Sequence, residues 1–350
     1  MTLLGSVRKF YNAPSGISIT ASVLPCLERQ ASVPHDYIYG FLGLVTSEER
    51  SQVTIDYRLP HWTVYRDFFE LLISTAGPDE LRLLAMISLC SQSTERPSWL
   101  PDFSSQRDAV RSTGMYLASE MPFCAVEEVW WSDDNEILML RGVHLDVIAE
   151  THDMQDTYSN WVDHMMTMAE EVSSRGPALE SLTGPPQPLL DACKDAHVSQ
   201  LFLGNIQPDG GVETTDTQVQ TCWTVLDAHH RAGMSIKNLD NVEYKQSRAN
   251  LGGLSVLTIS SRIAAQAFIV CGGRKLVISQ ASLVGICVPD ARPGDHIVCL
   301  YGFHMPFVLR PCNGHFRIIG GTFMHGLKDW EVMYGCLERG DMTEATYRIR

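Results

Sequence analysis

The hydrophobic pattern changes near residue 274, and this change constrains the fold more than any other feature of the chain. Five short apolar runs follow at roughly ten-residue intervals: Lys275–Ser279, Leu283–Val288, His296–Tyr301, Phe307–Arg310 and Phe316–Ile319. Turn-forming residues separate the runs, as in Arg292-Pro-Gly-Asp295, Cys312-Asn-Gly314 and Gly320-Gly321. Short apolar runs divided by tight turns predict an antiparallel meander or a small barrel.

Helical spacing dominates the chain before residue 274. Apolar side chains recur every three or four residues in one segment and predict an amphipathic helix there: Trp62, Tyr65, Phe68, Phe69 and Leu72. A second such helix is predicted around 158–172, and further helices at about 218–232 and 254–270. A hairpin is predicted over 126–149, where two apolar runs flank a Ser-Asp-Asp-Asn turn.

These patterns predict the fold class and the domain organisation. The fold class is α+β, with a mixed helical region and a β-hairpin followed by the C-terminal antiparallel unit. The predicted boundaries are a mixed α/β region over 1–172, a helical region with Pro/Gly-rich loops over 173–273, and the antiparallel β unit over 274–350. The clearest interruption is the Pro/Gly-rich stretch that ends in Gly184-Pro-Pro-Gln-Pro188.

The charge balance limits the partners of the chain. Lys and Arg number 27 against 41 Asp and Glu, which gives a net charge of −14 and disfavours nucleic acid. The most apolar run, Ile263–Cys271, is far shorter than the about 18–20 residues that a bilayer span needs. The N-terminus also lacks the pattern of a signal peptide. We therefore expect a cytoplasmic protein without a membrane span, and homo-oligomerisation is left open.

The sequence carries no familiar cofactor motif. Ten cysteines are scattered without a CxxC pair and mostly stand in apolar company, which predicts buried thiols and neither a metal site nor disulfides. Glycine-rich nucleotide loops, H-E-x-x-H and G-x-S-x-G are all absent from the sequence, so we expect no cofactor. Arg310 lies within an apolar run and requires an acidic partner, for which Asp295 and Asp329 are the candidates.

Several ordered blocks resemble the fungal heterokaryon-incompatibility (HET) family, in the region that follows its effector domain. The block Val33-Pro-His-Asp-Tyr-Ile-Tyr-Gly-Phe-Leu-Gly-Leu44 is similar to the family's D-P-R-D-K-I-Y-A-L-L-G-L. The blocks that follow in family order are Asp56-Tyr57, Val64-Tyr65, Pro97-Ser-Trp-Leu-Pro-Asp-Phe103, Arg292-Pro-Gly-Asp295, Pro306-Phe-Val-Leu-Arg-Pro311 and Ile319–Glu331. Because the blocks keep their order over about three hundred residues, they are more specific than any single short motif.

The departures from the family bear on function. The serine-tyrosine-x-tryptophan-glycine and cysteine-isoleucine-asparagine-glutamine signatures of the effector half do not occur in the sequence. The arginine of the opening block is replaced by His35, and the terminal D-G-E reads Asp329-Trp330-Glu331. We therefore expect a scaffold half that serves a purpose other than triggering incompatibility by itself.

Two helical segments supply the candidate binding residues. Methionine and tryptophan make adaptable apolar walls, and on that ground the candidates for substrate contact are Trp161, Met165, Met168 and Trp223. The candidates for hydrogen-bond donation in catalysis are Tyr158, His230 and His304. A plain core stripe on amphipathic helices is the favoured interpretation of these apolar residues, and the binding wall is the alternative.

The resemblance implies a function that the residue types alone do not. Stand-alone relatives of the HET family are associated with terpenoid pathways, which implies a cofactor-free intramolecular [4+2] cycloaddition of an apolar terpenoid polyene-aldehyde. Such a reaction needs positioning, worth about 7–11 kcal/mol in favourable cases, and a donor to a carbonyl. The alternative is a non-catalytic regulatory or interaction protein in fungal incompatibility. A third hypothesis is acid–base catalysis by His304 with Asp295.

Overall fold

The structure is a computed structural model, and the residues that it describes fall in several stretches. They are 16–19, 22–23, 31–75, 96–104, 130–131, 136–154, 164–168, 170, 224, 268, 271–301, 303, 305–325, 327 and 330–350. The helices are α1 (Asp36–Tyr39), α2 (Ser47–Arg50), α3 (His61–Thr75) and α4 (Trp330–Glu338), with a 3-10 turn at Leu42–Leu44. The strands are β1 (Trp130–Trp131), β2 (Leu138–Asp153), β3 (Lys275–Ser279), β4 (Val284–Cys287), β5 (His296–Leu300), β6 (Phe307–Cys312), β7 (His315–Met324) and β8 (Glu344–Ile349).

The C-terminal strands form the antiparallel sheet that the sequence predicts, and the α+β class is confirmed. Eight strands pair in the order β1-β2-β3-β4-β7-β6-β5, with β8 paired to β2 and β7. All of these pairings are antiparallel except the short contact between β7 and β8. The predicted hairpin is also present, since Trp130 lies opposite Met139 in β1 and β2.

Strand β2 joins the predicted hairpin to the C-terminal strands. Its first part pairs with β8 and β5, and its last part pairs with β3 after register shifts at His144/Asp146 and Ile148/Glu150. Bulges of this kind bend a strand and let it turn from one set of partners to another. Because β5 pairs again with β2, the pairings run β2-β3-β4-β7-β6-β5 and return to β2.

Two glycines permit close approaches inside this sheet. Gly142 faces the Cys299 carbonyl so closely that any side chain there would collide with backbone. Gly320 was predicted as part of a turn, but it lies within β7, and a Cβ at this position would come 2.5 Å from Val288 Cγ1. The Gly320-Gly321 pair therefore permits strand packing rather than a chain reversal.

Inward-facing side chains of these strands form a continuous apolar core. Val143 and Leu145 from β2 meet Val277 from β3, Ile297 from β5 and Val308 from β6, all of them buried. Each fully buried aliphatic side chain stabilises the fold by about 1.5–3 kcal/mol relative to exposure. Successive residues of β3, β4 and β5 are buried on both faces, which accounts for the continuous apolar runs that begin near residue 274.

Helix α3 anchors a separate aromatic cluster near the N-terminus. Val64, Tyr65, Phe68, Phe69 and Leu72 are buried, as the helical spacing predicts. Trp62 belongs to the predicted stripe but is 48% exposed, because it lies in the first turn of α3 at the margin of the cluster.

The loop over 97–103 connects this cluster to the sheet. Trp99 stacks on Phe69 with ring centroids 6.1 Å apart, and its indole Nε1–H donates to the Glu136 carbonyl at 3.0 Å. The Ser98 hydroxyl accepts a hydrogen bond from the Ile318 amide and donates to the carbonyl of Arg350. The loop thus contacts α3 through Phe69, β7 through Ile318, and Arg350.

Other sequence predictions concern parts of the chain that the structure describes only in fragments. Residues 164–168 are helical, in agreement with the predicted helix around 158–172, whereas the helices at 218–232 and 254–270 lie almost wholly outside the described residues. The three domain boundaries stay predictions. Among the described residues, no helix is long and apolar enough to cross a membrane.

Candidate functional site

A buried ion pair joins two of the blocks that resemble the HET family. Arg310 on β6 donates from Nε and one terminal nitrogen to the two carboxylate oxygens of Asp295, at 2.8 and 2.9 Å. The same terminal nitrogen donates to the Asp290 carbonyl, and the Arg292 amide donates to Asp295. The side chain of Asp295 is only 3% exposed. Of the two predicted partners of Arg310, Asp295 is therefore confirmed, while Asp329 lies outside the described residues.

This pairing weakens the acid–base hypothesis for Asp295. Both carboxylate oxygens accept hydrogen bonds from Arg310, and one also accepts from the Arg292 amide. Because both oxygens already accept these hydrogen bonds and the side chain is only 3% exposed, a substrate proton has no open path to either oxygen. We conclude that Asp295 positions the turn before β5.

Two histidines lie side by side on the face of the sheet opposite the core. His144 on β2 alternates with the buried Val143 and Leu145, and His296 on β5 precedes the buried Ile297. Their ring centroids are 5.0 Å apart in an edge-to-face arrangement. The Nε2 atom of His144 is buried and makes no hydrogen bond to any described residue. A ligand that displaced the side chains over this nitrogen would be stabilised by pairing with it, because a buried polar atom without a partner is costly.

Aromatic rings continue outward from the histidine pair. His296 contacts Phe316 with centroids 5.6 Å apart, and Phe316 contacts Tyr347 at 5.5 Å. His144, His296 and Phe316 are each half-buried, whereas Tyr347 is buried. The four side chains define what we call the histidine face, which combines imidazole nitrogens with apolar ring surface.

The electrostatic environment keeps both imidazoles of this face neutral near pH 7. Burial lowers the pKa of His144, and the neighbouring His296 lowers it further against an opposing effect of Asp146. Burial likewise lowers the pKa of His296, opposed by Asp295. A neutral imidazole offers one N–H donor and one acceptor, so this face can donate a hydrogen bond without carrying charge.

Cys271 and Cys287 do not supply a nucleophile. Cys271 and Cys287 are buried, and burial raises the pKa of each thiol to about 12. Because the thiolate is the reactive form, these cysteines remain unreactive near neutral pH. Their burial confirms the prediction that cysteines in apolar company pack as small hydrophobic residues.

The sequence-predicted site residues fall into two groups. Met165 is fully buried, so a ligand could contact it only after displacing the side chains packed on it, while Met168 is half-buried. The remaining candidates lie outside the described residues: Tyr158, Trp161, Trp223, His230 and His304. The contacts among these seven residues thus stay a prediction.

Sequence reasoning did not identify His144 or His296. The two residues are far apart along the chain and become neighbours only through the β2–β5 register, in which Val147 lies opposite His296 and His144 opposite Val298. The only signal in the sequence was the polar residue at an outward position of each strand, which any solvated strand face would also show.

We expect acid to destabilise the fold through the histidine face. The pKa of each imidazole is lower in the folded state than in the unfolded chain, so the unfolded chain binds more protons as pH falls below about 6.5. Stability contributed by these groups is therefore complete above that pH and is lost on acidification. Urea unfolding at pH 7.5 and pH 5.5 measures the loss.

The variant His144→Gln tests the assignment of this acid sensitivity. It should show a smaller decrease in the free energy of unfolding between the two pH values than the unmodified protein. His315→Gln, at the turn between β6 and β7, gives the effect of the same replacement outside the pair. An equal pH dependence in His144→Gln and the unmodified protein would contradict the assignment.

Comparisons with known proteins give no further guidance for this site. No protein-family model, no curated protein and no solved structure matches the chain. The HET resemblance therefore rests on the sequence blocks quoted above, and the function rests on the chemistry of the described residues.

Proposed function

We propose that the chain is a HET-like scaffold that catalyses a cofactor-free intramolecular [4+2] cycloaddition of an apolar terpenoid polyene-aldehyde. The reaction class is similar to the norbornene-forming cyclisation of sordarin-type biosynthesis, performed by a Diels–Alderase. Two parts are required: an apolar wall that holds diene and dienophile together, and a donor to the aldehyde oxygen. The predicted wall is Trp161, Met165, Met168 and Trp223.

The strand pairings run from β2 through β3, β4, β7, β6 and β5 and return to β2, and this closed circuit supports a location for the site. We propose that the six strands of the circuit form a small barrel with a filled interior, since Val143, Val277 and Val308 are completely buried. A filled interior leaves no room for a substrate. The site would then lie on the outer face of the strands, where the histidine face is found.

The single observation that carries the proposal is the buried, unpaired Nε2 of His144 beside aromatic rings. A [4+2] cycloaddition moves electron density toward the carbonyl oxygen of the dienophile, and a neutral N–H donor stabilises that change. Neutral imidazole suits this task because the reaction transfers no proton. The nearby Phe316 supplies apolar surface for the hydrocarbon part.

The experiment follows product formation from a polyene-aldehyde terpenoid with purified protein, with buffer as reference. We expect a rate above buffer and one dominant stereoisomer, unchanged by a chelator. His144→Phe should lower the rate by about 100-fold or more, as loss of one positioned donor does. The matched control, His315→Phe, should retain the rate. A rate and an endo/exo ratio equal to those in buffer would overturn the proposal.

A second candidate function is a non-catalytic regulatory protein of fungal incompatibility. The observation that favours it is a group of exposed apolar side chains near the N-terminus, which a globular surface does not require. The two functions make opposite predictions for the aldehyde assay, because only the cyclase accelerates the reaction.

A further inference from the structure

A group of exposed apolar side chains lies on the N-terminal part of the structure. Among the described residues, five of the six large apolar side chains that are well exposed fall between residues 33 and 62. We call these five the aromatic surface: Val33, Ile55, Tyr57, Leu59 and Trp62. Tyr57 is 54% and Ile55 56% exposed.

His35 and His61 contact three residues of this surface, which are Tyr57, Leu59 and Trp62. The His35 ring contacts the Tyr57 ring at 5.4 Å and the His61 ring at 6.4 Å, and His61 contacts Trp62 at 5.4 Å. His35 Nε2 also hydrogen-bonds the Leu59 carbonyl at 2.8 Å. These contacts fix the positions of the rings, so a partner would meet a preorganised surface and would not have to order it.

Within the part of the chain that the structure describes, Asp56 and Asp67 near this surface each form an ion pair with an arginine, whereas Asp36 does not. Arg58 is bound to Asp56 by both ends of its guanidinium group and lowers the pKa of Asp56 to about 2. Arg66 is likewise paired with Asp67. Asp36 accepts a hydrogen bond from the Tyr57 hydroxyl at 2.6 Å but has no cationic partner among the described residues. One carboxylate at the surface is thus available to a cation.

The charge of the chain argues against a second copy as the occupant. Each copy carries a net charge of −14, so two copies repel one another. A basic partner would be attracted instead.

We propose that the aromatic surface binds a basic amphipathic protein segment, whose apolar side chains pack on Tyr57 and Trp62 while a Lys or Arg pairs with Asp36. The inference rests on this surface alone and holds whether or not the chain is a cyclase.

The test uses two fluorescently labelled helical peptides, one of leucine and lysine and one of leucine and glutamate. Binding to the full chain is followed by fluorescence anisotropy at physiological salt. The lysine peptide should bind and the glutamate peptide should not. Asp36→Asn and Trp62→Ser should each weaken binding about tenfold or more, as loss of an ion pair or of an aromatic anchor does.

Matched controls separate this surface from general attraction to an acidic protein. Glu338→Gln on α4 removes the same charge as Asp36→Asn, and Tyr334→Ser on α4 removes another exposed aromatic ring. Both controls should retain the affinity within about twofold. Equal weakening by controls and surface variants, equal binding of both peptides, or no binding would each overturn the proposal. A dimer that Trp62→Ser dissociates would assign the surface to a second copy instead.

Discussion

Replacing Asp295 by alanine should lower the free energy of unfolding by about 3–5 kcal/mol, the range for removing one partner of a buried ion pair. The change leaves the Arg310 guanidinium, only 25% exposed, without the two charge-assisted hydrogen bonds that it makes to the carboxylate. It also leaves the Arg292 amide without its acceptor. Chemical denaturation followed by circular dichroism measures the effect, and an unchanged denaturant slope shows that the unfolded state is comparable.

Two controls show whether burial causes this effect. Asp56→Ala breaks an equally short ion pair, but Arg58 is 91% exposed there, so the loss of stability should be far smaller than that of Asp295→Ala. The double variant Asp295→Leu with Arg310→Leu should regain most of the stability, because removing both charges leaves none unpaired. If the double variant is as unstable as Asp295→Ala, the cost comes from the turn and not from the unpaired arginine.

The C-terminal strands could be predicted because most of them are short apolar runs divided by turn-forming residues. The run Lys275–Ser279 is β3 residue for residue, and the run at His296–Tyr301 differs from β5 by one position. Strand β2 was underestimated, since the predicted hairpin ends at residue 149 whereas the strand continues to Asp153. Beyond residue 143 the apolar alternation is broken at two register shifts, so a period-two pattern cannot follow it.

The candidate site could be predicted only where a local rule applied. The partner of Arg310 could be predicted because an arginine in an apolar strand requires a carboxylate, and Asp295 lies in the preceding turn. No local rule connects His144 with His296, because their proximity depends on the pairing of β2 with β5. The predicted walls and donors depend on contacts between distant helical segments, for which a single sequence gives no register.

Trp99→Ala should destabilise the fold by about 3–5 kcal/mol, the range for truncating a fully buried aromatic side chain. The variant loses the stacking on Phe69 and leaves the Glu136 carbonyl without the indole donor. Trp99→Phe keeps most of the ring surface and loses the N–H, so its cost should be smaller, about 1–3 kcal/mol. Trp62→Ala, at an exposed position of the same residue type, should cost less than about 1 kcal/mol.

Native-state hydrogen exchange tests whether the Trp99 loop connects α3 to the sheet. The loop joins α3 to the sheet, through Phe69 on one side and Ser98 with Ile318 on the other. Loss of the ring should therefore weaken the coupling between the two parts as well as the total stability. In Trp99→Ala, the amides of α3 should therefore open at a lower free energy than the amides of β5. In the unmodified protein, the opening free energies of α3 and β5 should differ less. If exchange in α3 and β5 increases equally, Trp99 contributes to a single cooperative core, and its loop does not act as the connection between two units.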